Sequence, residues 1–179
     1  KEVANIKDFL LAELKDSFRD INKAYNILNQ ELSRGKNIPV GSQWILDNFY
    51  YIEQKHRELR ETFKKSRKIV VNVIDNLALD NISNIKANIT EESLIDFINI
   101  VQKDEILTLE EIYHLPNFIS LGLIQHIRKV LLDLLKIYEK WEKVESIDIS
   151  SKEALENIIA NIHNMSSTEV ERLRRKIKK

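Results

Sequence analysis

From Ile6 to Leu32, apolar side chains recur every three or four residues without a break: Ile6, Leu10, Leu14, Phe18, Ile21, Tyr25, Leu28 and Leu32. A strand buries alternate residues, so this spacing suits a helix that lays one stripe against a partner. It predicts a helix over 2–33, stopped by Gly35 and followed by a connector from Gly35 to Gly41 that contains Pro39. A second stripe (Ile45, Phe49, Ile52, His56, Leu59, Phe63), widened by Trp44 and Leu46, predicts a helix over 42–65. Two such helices on a short connector form an antiparallel hairpin. Glycine (3) and proline (2) are too scarce for a turn-rich β fold, and the charged residues, 31% of the chain, supply polar outer faces.

The segment Lys68 to Ala78 is rich in β-branched residues, but a lone strand has no partner in this pattern. A short buried helix is expected there, and irregular chain over the Asn-rich stretch Asp80 to Ile89. Thr90 reads as an N-cap before the acidic first turn Glu91 and Glu92, opening a helix with Leu94, Ile95, Phe97, Ile98 and Val101. Thr108 and Glu111 form a capping box, with Leu107 and Ile112 placed as its hydrophobic staple. The helix they begin is expected to stop before Pro116, which disfavours helical geometry in Leu115 and fits the first turn of a long helix over 116–142. That helix carries Ile124, Ile127, Leu131, Leu134, Tyr138 and Trp141, and is apolar well beyond one face, so a central place is expected for it. Ser150 with Glu153 and Ser166 with Glu169 predict two more capped helices. The expected fold is all-α, an antiparallel multi-helix bundle forming a single domain over 1–179.

Lysine plus arginine (28) equal aspartate plus glutamate (28), so the chain has no global field to gather nucleic acid or an anionic membrane. The absence of cysteine excludes disulfides, thiolate chemistry and sulfur-ligated zinc. No apolar run approaches the roughly 18–20 residues that span a bilayer. The N-terminus has no signal-peptide pattern and residue 1 is Lys, so the chain is expected to be a fragment of a much larger one.

Several side-chain sets have the composition of a site. Glu53 with His56, and Glu111 with His114, are two E-x-x-H pairs, the ligand pattern of ferritin-like di-iron bundles. At i and i+3 both members of a pair project from one helix face. Histidines on a chain this rich in acids form such pairs by coincidence, and His114 is expected at the end of a short helix, so structural roles and no metal are expected. Asp47, Glu53, Glu110 and Glu111 supply the carboxylates of a glycosidase-like pair, but Glu-rich helix faces do so by accident. Trp44, Phe49, Tyr50 and Tyr51 suit a sugar platform; at helical spacing aromatics are mostly core, while Tyr50 and Tyr51, about 100° apart, cannot share one buried stripe. Arg57, Arg60 and Arg128 are expected to pair with Glu53, Glu58 or Glu111 rather than to bind phosphate. The basic runs Phe63 to Lys68 and Arg172 to Lys179 sit near helix C-termini, where cations are favourable, and no nucleic-acid partner is expected.

Two blocks, Gly41 to Arg60 and Leu107 to Lys129, resemble the N-terminal helical region of cyclic β-1,2-glucan synthases and their large glycosyltransferase relatives. In the first block the resemblance rests on Trp44, Leu46, Asp47, Asn48, Phe49, Ile52, Glu53, Arg57 and Arg60. In the second it rests on Leu107, Thr108, Glu111, Leu115, Pro116, Leu121, Leu123, Ile124, Arg128 and Lys129, with Ile89 to Gln102 similar to the family's linking helix. The chain departs from the pattern in a shortened stretch after the first block, at Ser120 in place of arginine, and at Gln125 and His126 in place of Glu-Asn. The resemblance implies a membrane-bound parent that builds β-1,2-glucan from UDP-glucose on itself, closes it into a ring and carries a phosphorylase-like domain. It places the transferase and phosphorylase centres in other segments and carries no catalytic residue or cofactor to this chain. The role it implies is a cytoplasmic scaffold on the inner-membrane parent, with other domains of the same polypeptide as partners. The alternatives are a ferritin-like metal-binding bundle and a free-standing helical adaptor.

Overall fold

A computed structural model describes residues 2–66, 90–104, 106–147 and 149–178. Among them are seven α-helices, one short 3-10 turn and no strand. The helices are α1 (Glu2–Ser33), α2 (Ser42–Asp47), α3 (Phe49–Lys65), α4 (Glu91–Asp104), α5 (Leu109–Ser146), α6 (Lys152–Asn161) and α7 (Ser167–Ile177). The expectations for Lys68 to Ala78 and for Asp80 to Ile89 lie outside the described residues. No helix among the described residues is long and apolar enough to cross a membrane.

Helix α1 ends as its glycine predicts. Gly35 takes φ 76°, its N–H bonds Leu32 O at 2.9 Å, and the Lys36 N–H reaches back to Glu31 O at 3.1 Å. This is the Schellman arrangement, which satisfies carbonyls the helix leaves over. Thr90 caps α4, accepting from Ser93 N (3.1 Å). At α5 the Thr108–Glu111 box is reciprocal: Thr108 N donates to Glu111 Oε2 (2.7 Å) and Glu111 N to Thr108 Oγ1 (3.3 Å). Leu107 is buried beside it, while Ile112, expected as its staple partner, stays half-exposed. The Ser166–Glu169 box caps α7.

Three local expectations are corrected. The helix expected over 42–65 is two, because Asn48 breaks it: φ −105° and ψ 8° leave the helical region, and its side-chain amide donates to Trp44 O at 2.7 Å. Such local amide-to-backbone bonds compete with helix continuation. Conversely, Pro116 starts nothing; it lies inside α5, which runs 38 residues from Leu109 to Ser146. Burial of Leu115 and Phe118 on either side of it fixes helical geometry against the local preference, and exposed Pro116 forgoes only the bond to the Ile112 carbonyl. Finally, α6 is capped by Ser151, which accepts from Ala154 N at 3.1 Å, and not by the expected Ser150–Glu153 box; the start lies one residue later.

Pro116→Ala is therefore expected to stabilise the chain by about 2 kcal/mol: the ~3 kcal/mol helix penalty of an interior proline less the ~1 kcal/mol it returns by restricting the unfolded chain. Urea denaturation checks this, and a destabilised variant would mean that α5 needs its proline.

Helices α1, α3 and α5 form an up-down-up bundle. Tyr25 stacks on Phe49 and Lys7 Nζ bonds Ser66 O (3.2 Å), so α1 and α3 run antiparallel. Contacts of Glu13 with Gln125, Asp20 with Arg128 and Glu31 with Tyr138 run α5 parallel to α1. Their stripes meet in one core: Leu10, Leu14, Ile21 and Leu28 against Ile52, Leu59 and Phe63, closed by Leu121, Ile124 and Leu131. Leu94 and Ile98 bring α4 against this core. A second, small core forms where Val144 of α5 meets Ile158 and Leu173.

Candidate functional site

The residues between Val40 and Tyr51 turn a largely apolar surface outward. Trp44 is 61% exposed, Tyr50 61% and Tyr51 68%, with Val40 fully in solvent. Trp44 therefore does not widen the buried stripe; Ile45, the next residue, takes the core place. Tyr50 and Tyr51 touch edge to face at 5.7 Å between centroids. Phe49 faces the bundle while Tyr50 and Tyr51 face out. The rings of Trp44, Tyr50 and Tyr51 leave aromatic area in solvent on this face of the chain.

Beneath them a ladder of rings joins α1 to α3. Phe49 stacks on Tyr25 (3.8 Å) and approaches Phe18 (6.1 Å), and Phe18 stacks flat on His56 (4.1 Å, 7°). Burial, helped by the nearby Arg60 charge, pushes the His56 pKa below the ordinary histidine value, which suits a neutral ring packed face to face. The E-x-x-H residues sit in four different settings. His56 belongs to the ladder, Glu53 lies 4.0 Å from Arg57, Glu111 is the buried arm of the α5 capping box, and His114 Nδ1 is buried without a hydrogen-bond partner. His114 sits inside a long helix, not at the end of a short one. Among the described residues no group of three or more metal-ligating side chains is placed to hold an ion.

The most organised polar group escaped sequence reasoning. At the junction of α1, its connector and α5, Glu31 is 8% exposed and accepts from Tyr138 Oη (2.6 Å) and Arg34 (2.6 Å), with Lys36 Nζ at 2.8 Å. Lys36 also donates to Glu142 (2.8 Å). These donors, the Lys36 ammonium first, hold the Glu31 carboxyl down to about 2. Burial, then the bond to Glu31, pushes the Tyr138 phenol up. Bonds to Glu142 and Glu31 raise Lys36. At neutral pH the cluster is a clamp of charged Glu31, Lys36 and Arg34 around the neutral Tyr138 phenol. The one signal that announces it is Glu31 itself, an acid three residues after Leu28 on an otherwise apolar stripe.

The remaining candidates divide. Arg128 pairs with Asp20 of α1 (2.5 Å), not with the expected Glu53, Glu58 or Glu111. Arg57 faces Glu53 as expected. Arg60 has no ion pair among the described residues. Asp47 accepts from Gln43 (2.8 Å). In the C-terminal basic run, Arg172 lies 3.8 Å over the Trp141 ring and pairs with Glu145 (2.5 Å), Arg174 and Arg175 reach Glu171, and Lys176 caps the Ile147 carbonyl (2.6 Å). Arg172 and Lys176 dock α7 onto the end of α5, beside a cleft of about 910 Å³ walled by Trp141, Asn37 and Glu171, while the Arg174 and Arg175 pairs stay within α7.

The chain is 22% identical over 131 residues to the cyclic beta-(1,2)-glucan synthase NdvB of Rhizobium meliloti (strain 1021). The match covers 68% of this chain but only 5% of that protein, and supports a distant relationship. No family model matches the chain, and no solved structure matches it.

Proposed function

We propose that this chain is a non-catalytic helical interaction domain of a cyclic β-1,2-glucan synthase-like glycosyltransferase, packing against other domains of a membrane-bound parent on its cytoplasmic side. One observation carries the reading: Trp44, Asp47, Arg57 and Arg60, four positions of the resemblance, lie on the surface. They contribute nothing to the core of this chain, and exposed Trp44, Tyr50 and Tyr51 suit burial against a neighbour. The small share of the synthase that the chain spans agrees with a part serving a larger body.

Joint replacement Tyr50→Asp and Tyr51→Asp is expected to leave the helical spectrum and melting of the purified chain unchanged. It is expected to weaken, by about tenfold or more, association with the rest of the parent polypeptide supplied in trans. The purified chain is expected neither to hydrolyse UDP-glucose nor to extend or cleave β-1,2-glucan. Undiminished association of the double variant, or UDP-glucose turnover lost in Asp47→Ala or Glu53→Ala, would overturn the proposal.

A further inference from the structure

The outer seam of α1 and α3, away from α5, holds a groove of about 470 Å³ that the interaction surface above does not include. Its floor is apolar, formed by Leu11, Leu14 and Phe18 with the His56 ring laid flat on Phe18, and Ala12 keeps it open. Its banks are basic. Lys15 and Arg19 follow one another along α1, and Arg60 and Lys64 along α3, each pair at the i, i+4 spacing that aligns side chains on one face. Among the described residues no carboxylate lines the groove. Arg19 is held from outside it by Asp16 (2.7 Å) and Asp20 (3.5 Å), and Lys64 more loosely by Glu61 (3.6 Å), whereas Lys15 and Arg60 have no ion pair among the described residues.

We infer that this groove docks an amphipathic helix whose apolar stripe is flanked by acidic residues. An apolar row between two antiparallel helices, bordered on both banks by like charge, is what the a/d seam and the e/g flanks of a third coiled-coil strand require. From Leu11 to Arg19 the groove runs about 12 Å at 1.5 Å per residue, the length of two helical turns. The distribution of cations selects this occupant over a lipid. A headgroup needs its cations gathered at one end of an apolar slot, and here they run along both sides. The inference rests on the groove alone and holds whether or not the chain belongs to a glucan synthase.

The test titrates the full 179-residue chain with a fluorescent two-heptad peptide carrying leucine at a and d and glutamate at e and g. Parallel titrations use the same peptide with lysine at e and g, and phosphatidylserine vesicles. The expected result is saturable binding of the glutamate peptide, weakening with added salt, and no binding of the lysine peptide. Lys15→Glu with Arg60→Glu should weaken binding about tenfold or more. Both residues are exposed and have no ion pair among the described residues, so the fold should survive, which circular dichroism checks. Ala12→Phe, which fills the groove without changing charge, should weaken binding independently. Equal binding of the two peptides, no binding of either, or unaltered affinity in both variants overturns the inference. So does capture by anionic vesicles alone, lost in the charge-reversed variant, which would assign the groove to lipid.

Discussion

Leu131→Ala is expected to lower the unfolding free energy by about 2–5 kcal/mol, the range for deleting a fully buried leucine from a close-packed core. Leu131 has no solvent exposure and sits on the face of α5 that closes the core of α1 and α3. Truncation removes apolar contact and leaves a cavity that three rigid helices collapse into only partly. A domain of this size is stable by only about 5–15 kcal/mol, so the loss should be plain in a urea midpoint with an unchanged m-value. Leu134, one turn away and only partly buried, should cost less when truncated in the same way. A change below about 0.5 kcal/mol at Leu131, the scale of surface substitutions, would remove it from the core.

The second large effect belongs to the clamp. Tyr138→Phe is expected to cost about 1.5–3 kcal/mol, the value of a hydrogen bond to a charged group, because it strips a buried donor from Glu31. The clamp also sets a pH dependence whose sign follows from Glu31. Its carboxyl titrates at about 2 in the folded chain against an ordinary value of 4.5. The stability it contributes is therefore whole above about 4.5 and is lost as pH falls towards 2. The difference in unfolding free energy between the native chain and Glu31→Gln should be greatest at neutral pH and shrink through that interval. A difference that is flat with pH would show that Glu31 gains nothing from its charge in the folded state.

What could be read in advance was what local chemistry decides. Apolar spacing placed α1 at its observed ends, and the Thr108 and Ser166 boxes gave the starts of α5 and α7, because a cap is made by residues three apart. Asn48 and Pro116 misled in opposite directions. At Asn48, whose amide bonds Trp44 O, the helix breaks although the stripe runs on through Ile45, Phe49 and Ile52, and burial of Leu115 and Phe118 overrode a proline that locally reads as a boundary. Trp44 misled because a 3.6-residue period cannot tell which edge of a wide stripe meets the neighbouring helix. The clamp was illegible for a different reason: Glu31 and Tyr138 stand 107 residues apart, and only the acid within the stripe of α1 hinted that a partner must exist.

Helix α5, about 57 Å long at 1.5 Å per residue over its 38 residues, serves two cores of unequal depth. Its early and middle turns are sealed among α1 and α3, whereas its last turns hold α6 and α7 by Val144, Ile158 and Leu173 with a few cations. The chain is thus graded in cooperativity. Amide protons of α6 and α7 can exchange through opening of the end alone, while those near Leu131 must wait for global unfolding. One continuous backbone spans both regimes, and the bond from Tyr138 to Glu31 stands between them, where an opening that starts at the tail is expected to stop.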